Sequence, residues 1–158
     1  MKKLNILVLA VAILAFGSIA VSAQTQEKPK YDEKLATKLG ADERGMKTYV
    51  LCILKTGPKD ADFKGKERDD IFAGHMSNIG KLAEEGKLAV AGPFMKNDRT
   101  YRGLYIFNVS TIEDAEKLVV SDPAVKADIL VPELTLWYGS ASLMATPEIH
   151  KTLAKPKQ

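Results

Sequence analysis

The hydrophobic pattern of residues 67–85 is that of an amphipathic helix whose apolar face includes a histidine. Apolar side chains recur at helical spacing and form one stripe: Ile71, Phe72, Met76, Ile79, Leu82 and Ala83. His75 lies four residues after Ile71 and four before Ile79, so it shares this stripe. An inward-facing histidine is costly unless a partner forms a hydrogen bond with it. This helix therefore carries the first candidate for a functional side chain.

Four apolar segments, separated by polar turns, predict β-strands: residues 48–54, 88–91, 101–109 and 129–138. The first is apolar on both faces, which is typical of a central strand. Pro132 in the last segment favours an edge position. A second helix is expected to begin at Ser110, whose spacing from Glu113 fits a capping box, and to end before Pro123.

The resulting order, β-α-β-β-α-β, predicts a ferredoxin-like α+β fold. Its four-stranded antiparallel sheet would have both helices on one face. The other face would be bare, although the last strand brings Trp137 and other large apolar side chains to the sheet. Because an exposed apolar sheet face is typical of an interface, we expect a homodimer packed sheet to sheet.

Two glycines, Gly74 and Gly80, lie inside the long helix. Each costs about 1 kcal/mol relative to alanine in a helix interior. Such residues indicate that a backbone, a side chain or a ligand comes close. Close packing of the helix on the sheet is the plainest explanation for both.

Residues 1–23 have the pattern of a secretory signal peptide. Lys2 and Lys3 precede an apolar run, and small residues at its end predict cleavage before Gln24. An uncleaved membrane anchor is the alternative, but the apolar run is shorter than a membrane-spanning helix, which needs about 20 residues. We therefore expect a bacterial protein that is periplasmic or secreted and has no stable membrane anchor after cleavage.

The remaining chain divides into a linker, a domain and a tail: residues 24–45, 46–138 and 139–158. The linker is polar, although Leu35 and Leu39 would fit one face of a short helix. Pro147 argues against a long helix in the tail. We expect the tail either to wrap around a partner or to stay mobile.

Composition and charge exclude several classes of function. Without Lys2 and Lys3 the formal net charge of +3 becomes +1, which is not the basic excess of a nucleic-acid binder. The chain has two histidines and one cysteine, Cys52, so no intrachain disulfide can form and a zinc site is hard to build. It contains no phosphate-binding glycine loop and no Gly-x-Ser-x-Gly motif. We expect no metal, no cofactor and no nucleic-acid partner.

Four short motifs match one known pattern: Phe-Ala-Gly-His at 72–75, Glu-Gly-Lys-Leu-Ala-Val-Ala-Gly-Pro-Phe at 85–94, Gly-Leu-Tyr-Ile at 103–106 and Asp-Pro-Ala-Val at 122–125. With them the chain resembles the YCII-related family of dimeric α+β barrel proteins over about residues 46–138. The resemblance implies a histidine–aspartate pair in a pocket between helix and sheet. Those roles fall on His75 and Asp122.

A His75–Asp122 pair would suit acid–base chemistry. A carboxylate on one imidazole nitrogen fixes the tautomer and makes the other nitrogen more basic. Such a pair could catalyse the elimination, isomerisation or hydrolysis of a small organic substrate. The candidate substrate-binding residues are Gly92, Pro93 and Phe94. From residue type alone, His75 is better explained by a bond to a backbone carbonyl, and Asp122 by a helix-ending Asp-Pro turn. The family pattern favours the pocket role of His75.

Two classes of function therefore stay open. The first is a small enzyme that uses His75 and Asp122. The second is a non-catalytic dimer of the cell envelope that binds a small molecule or another protein. Related dimeric barrels also hold haem through a histidine, which would require a wide apolar cavity around His75. Arg102 is a candidate for binding an anionic substrate, although a solvated strand charge is the plainer interpretation.

Overall fold

Four strands form one antiparallel sheet in the computed structural model, which describes residues 30–153 and 155. The strands are β1 Met46–Thr56, β2 Leu88–Pro93, β3 Tyr101–Phe107 and β4 Leu130–Ser140. They lie in the order β2-β3-β1-β4, and every neighbouring pair is antiparallel. This order is ferredoxin-like, so the predicted α+β fold is confirmed. As predicted, β1 is central, and β4 with Pro132 is at an edge.

Helices pack on one face of this sheet and enclose the main core. They are α2 Gly65–Glu84, α3 Ile112–Val119 and the short α4 Pro123–Lys126. The largest buried side chains of this layer come from both sheet and helices: Val50, Cys52, Leu54, Leu82, Leu88, Phe107, Val119 and Ile129. Burial of such apolar surface contributes about 25 cal/mol per Å², so this layer is the main source of stability.

The start of α3 differs by one residue from the prediction. The N-cap is Thr111 and not Ser110, because the Thr111 hydroxyl accepts a hydrogen bond from the Asp114 N–H at 3.2 Å. Asp114 therefore takes the third helical position, where an acidic side chain also complements the helix dipole. Both hydroxyl residues can serve as a cap, and the backbone direction after β3 selects the second.

The middle of the predicted linker is a short helix, which the spacing of Leu35 and Leu39 allowed. Helix α1 Glu33–Leu39 begins after Asp32, whose side chain accepts from the Leu35 N–H at 3.0 Å. It ends at Gly40, which has a left-handed φ of 70°. These caps satisfy both ends of the short helix, and it packs against the segment that follows β4.

The segment after β4 packs on its own domain. It forms a 3₁₀ helix, Ala141–Ala145, and α5 Thr146–Leu153. Leu143 and Met144 pack against a cluster on the sheet face opposite the helices: Tyr49, Ala89 and Ile106. The expectation that this face is bare is therefore wrong in part, because the chain covers some of the apolar surface itself. The tail was predicted either to stay mobile or to wrap around a partner, and Leu143 and Met144 instead pack on the sheet of their own chain.

The predicted signal peptide and the first residues of the predicted linker lie outside the described residues. In the part of the chain that the structure describes, no helix is both long enough and apolar enough to cross a membrane.

Candidate active site

His75 and Asp122 form a hydrogen bond between the helices and the sheet. His75 lies on α2, and its Nδ1 is 2.7 Å from Oδ2 of Asp122, the N-cap residue of α4. His75 is 9% exposed and Asp122 is 0% exposed. Because a carboxylate can only accept, Nδ1 donates, and the neutral ring is held in the Nδ1–H tautomer. The structure thus brings the two predicted residues together, while their catalytic roles stay a prediction.

Tyr105 on β3 completes a buried trio with this pair. Its hydroxyl donates to Oδ2 of Asp122 at 2.9 Å. The other carboxylate oxygen, Oδ1, accepts the Ala124 N–H at 2.9 Å. Tyr105 was not among the predicted site residues, although strand alternation places it on the same face as Gly103 and so towards the helices. Asp122 is therefore hydrogen-bonded through both oxygens, as a buried carboxylate must be.

The surroundings of Asp122 keep its carboxyl ionised. Burial by itself raises the pKa of Asp122, but the hydrogen bond and charge of His75 oppose it, together with the Ala124 N–H and the Tyr105 hydroxyl. The result is a pKa below the ordinary value of 3.8. Burial and the nearby Asp122 charge raise the pKa of the Tyr105 hydroxyl, so that it remains a donor. This arrangement suits a carboxylate that stabilises a positively charged imidazole.

A close approach of α2 to α4 allows the two side chains to meet. Gly74 precedes His75 and Pro123 follows Asp122, and a Cβ added to Gly74 would lie 3.0 Å from Pro123 Cγ. A Cβ at Gly80 would have no neighbour within 4 Å. The expectation that both glycines pack on the sheet is therefore wrong. Gly74 makes room for a helix, and no neighbour among the described residues explains Gly80.

A cavity of about 480 Å³ lies beside His75, between α2 and the sheet. All three predicted substrate-binding residues line it: Gly92, Pro93 and Phe94. Most of the remaining wall is apolar: Leu54, Phe72, Met76, Ile79, Ala91, Gly103 and Leu130. Its polar residues are His75, Tyr105 and Arg102. This size and this mixture of many apolar and few polar residues are typical of small-molecule sites.

The second ring nitrogen of His75, Nε2, is free to contact a bound molecule. Nδ1 is occupied by Asp122, and Nε2 has no hydrogen-bond partner among residues 30–153. Since His75 is part of the cavity wall, Nε2 is the nitrogen that a bound molecule would meet. In the Nδ1–H tautomer Nε2 carries a lone pair, so it is able to accept a proton.

Trp137 and Cys52 lie outside this cavity. Trp137 packs on the opposite sheet face, with its ring centroid 5.9 Å from that of Tyr49. Cys52 is fully buried, and burial raises the pKa of its thiol to about 12, so it remains protonated and unreactive. Within the described segments, no group of three or more His, Cys, Asp or Glu side chains is placed to hold a metal ion.

The fold and the site define a small α+β protein with a buried His–Asp–Tyr trio beside a largely apolar cavity. The family model described as the YCII-related domain matches residues 48–137. This match spans more than half of the chain, so the chain belongs to the YCII-related family. The family identified from the four motifs is thereby confirmed.

One solved structure similar to this chain is the 5-chloro-2-hydroxyhydroquinone dehydrochlorinase from Burkholderia phenoliruptrix AC1100, in complex with 2,5-dihydroxybenzoquinone. The two chains are 21% identical, the match covers 56% of this chain and 92% of that chain, and the TM-score is 0.41. No curated protein matches the chain. At this distance the likeness carries no argument about activity, so the function must be argued from the site.

Proposed function

We propose that this protein is a small enzyme that uses His75 and Asp122 for acid–base chemistry on a small organic molecule. The observation that carries the proposal is the buried 2.7 Å hydrogen bond from Nδ1 of His75 to Asp122 beside a cavity of about 480 Å³. A histidine that served only packing would need a hydrogen-bond acceptor, but it would not need a cavity next to its second nitrogen. The pair therefore supports a functional role better than a structural one.

Each member of the trio has a distinct role in this proposal. Nε2 of His75 takes a proton from a bound substrate or from a water molecule, and the imidazolium later returns it to the leaving group or the product. Asp122 stabilises the positive charge of the ring while it holds the proton. Tyr105 is a positioning residue, because its hydroxyl holds the carboxylate and does not touch the proton. Elimination, isomerisation and hydrolysis all fit this proton balance.

The tautomer of His75 provides a direct test. The chain has two histidines, so the NMR signals are assigned by comparison with His150→Gln. We expect long-range ¹H–¹⁵N spectra of the neutral ring to show a protonated Nδ1 and an unprotonated Nε2. In Asp122→Asn the preference for Nδ1–H should be lost. A wild-type ring that carries its proton on Nε2 would contradict the proposed role.

A thermal-shift screen with a metabolite library tests ligand binding. We expect a compound that raises the melting temperature of the wild type and of His150→Gln, but not of His75→Gln or Asp122→Asn. Equal stabilisation of all four proteins would favour a non-catalytic binding protein. A haem absorption band in the purified protein would also overturn the acid–base role, because iron would then occupy Nε2.

Export to the periplasm or the medium is part of the same proposal. Its support is the pattern of residues 1–23, a positive start, an apolar run and small residues before Gln24. N-terminal sequencing of the protein isolated from cells should find Gln24 as the first residue. A full-length protein in the membrane fraction would instead support the uncleaved anchor.

We also propose a homodimer packed through the second face of the sheet. Although Leu143 and Met144 cover part of that face, Trp137 remains 38% exposed there, and Leu51 and Leu104 are half-buried. Trp137→Glu should shift the protein to a monomer in sedimentation equilibrium. Leu136→Glu is the matched control, because Leu136 directly precedes Trp137 in β4 and is paired with Val50 of the helix-covered face. A wild-type monomer would contradict the proposed dimer.

A further inference from the structure

Arg102 lies at a β-bulge beside the cavity. The pairing of β1 with β3 passes from Leu54–Gly103 directly to Lys55–Tyr101, so Arg102 is an extra residue on β3. Without this irregularity, strand alternation would direct Arg102 away from the helices. A bulge redirects a side chain, and Arg102 instead forms part of the cavity wall.

Arg102 shares its counterion with a second arginine. Asp60, in the loop before α2, accepts from Nη2 of Arg68 through Oδ1 at 2.7 Å, and its carbonyl accepts from Nη1 of Arg68 at 2.8 Å. Arg68 also lies over the Phe72 ring, 5.0 Å from its centroid. Nη1 of Arg102 has much longer contacts to the same carboxylate, 3.4 and 3.5 Å. Asp60 is therefore mainly the partner of Arg68.

This sharing leaves positive charge and free donors at the cavity. Two guanidinium groups and one carboxylate carry a net charge of one positive unit. A guanidinium has five N–H donors in a planar fork, and this fork matches a carboxylate in a bidentate arrangement. Within the described chain, Nη2 and Nε of Arg102 have no hydrogen-bond partner. The 38% exposure of its side chain leaves these donors accessible.

We propose that Arg102 is the anion-binding residue of this cavity and that the ligand is a small organic carboxylate with an apolar body. The apolar wall would hold the body, and the guanidinium fork of Arg102 would hold the carboxylate. This inference rests on the proposed function, since it assigns a substrate class to the cavity beside His75. It also assigns a role to a bulge that the fold itself does not require.

Two probes of the same shape and different charge test this assignment. Calorimetric titration should compare 2-naphthoate with 2-naphthamide at low ionic strength. We expect the wild type to bind the carboxylate about tenfold more tightly than the amide, which corresponds to about 1.4 kcal/mol. The preference should fall as salt is added, because Arg102 is partly exposed.

Three variants locate the source of the preference. In Arg102→Gln the two probes should bind equally, with the affinity for the amide unchanged, and Arg102→Lys should keep a reduced preference, since a lysine offers charge without the fork. Arg99→Gln makes the same change of charge in the β2–β3 loop, outside the cavity wall, and should leave the preference intact. A preference that survives in Arg102→Gln, or a wild type that binds neither probe, would overturn the proposal. Circular dichroism confirms that each variant is folded.

The anion site and the acid–base role fail separately in these experiments. Probe binding needs no turnover, and the tautomer of His75 is read without any ligand. A carboxylate preference that depends on Arg102, together with a neutral His75 ring that carries its proton on Nε2, would overturn only the acid–base role. A correct tautomer with no carboxylate preference would overturn only the anion site.

Discussion

The two faces of the sheet are covered in different ways, and the buried His75–Asp122 pair lies on the face that the helices cover. On the helix side, the rigid helix α2 stands over the sheet and leaves a cavity beside the His75–Asp122 pair. On the other side, Leu143 and Met144 fold down directly onto Tyr49 and its neighbours. A ligand site is therefore expected on the helix side.

The largest effect should come from removing the carboxylate of the trio. Asp122→Ala leaves His75, Tyr105 and the Ala124 N–H without an acceptor in the core, which costs about 3–5 kcal/mol. Urea unfolding measures the loss. Asp70→Ala is the control, because Asp70 forms an exposed i,i+4 pair with Lys66 that is worth about 0.3–0.5 kcal/mol. Equal losses would mean that Asp122 is not held as the geometry indicates.

The pH dependence of stability should carry the signature of the same group. The folded state holds the pKa of Asp122 below its ordinary value of 3.8, so its ionised form stabilises the fold above that pH. This stabilisation is lost as the pH falls through the folded pKa. The stability gap between wild type and Asp122→Asn, measured by urea unfolding from pH 5 to pH 2.5, should narrow as the pH falls below about 4. A gap that widens over that range would show the opposite sign of the shift.

A matched pair of tyrosines compares the two faces directly. The Tyr105 hydroxyl donates to the Asp122 carboxylate, and the Tyr49 hydroxyl donates to the Ser140 carbonyl at 3.1 Å. Hydrogen bonds to charged groups contribute about 1.5–3 kcal/mol and neutral ones about 1 kcal/mol. Tyr105→Phe should therefore lower the free energy of unfolding more than Tyr49→Phe. The reverse order would remove the energetic distinction between the faces.

The smallest effect concerns the two glycines of α2. Gly80→Ala should raise the free energy of unfolding by about 1 kcal/mol, because alanine favours the helix and the added methyl group has open space. Gly74→Ala has the same helix preference, but its methyl group would press on Pro123 and strain the contact between α2 and α4. Gly74→Ala should therefore gain less stability than Gly80→Ala, and it should disturb the His75 tautomer. Equal gains in both variants would mean that α4 yields without cost.

Part of this molecule could be read from the chain because the signals are local. The order of strands and helices along the chain, the extent of the long helix and the burial of His75 follow from the spacing of apolar residues. That spacing reflects which face each residue takes in its own element. Gly92, Pro93 and Phe94 were selected from the motif at 85–94, and they line the cavity beside His75. The short helix within residues 24–45 was indicated only by the spacing of Leu35 and Leu39, because its caps, Asp32 and Gly40, lie in a polar segment.

The α+β class, the family and the inward position of His75 follow from the sequence alone, because periodicity and short motifs depend on neighbours along the chain. Which side chains meet depends on how the elements pack. The partnership of Tyr105 with Asp122 requires the N-cap residue of α4 to reach a side chain of β3, and the direction of Arg102 depends on a bulge in its pairing with β1. The cover over Tyr49 likewise depends on where β4 ends and the chain turns back. These contacts join residues that are distant along the chain, and only the packed fold specifies them.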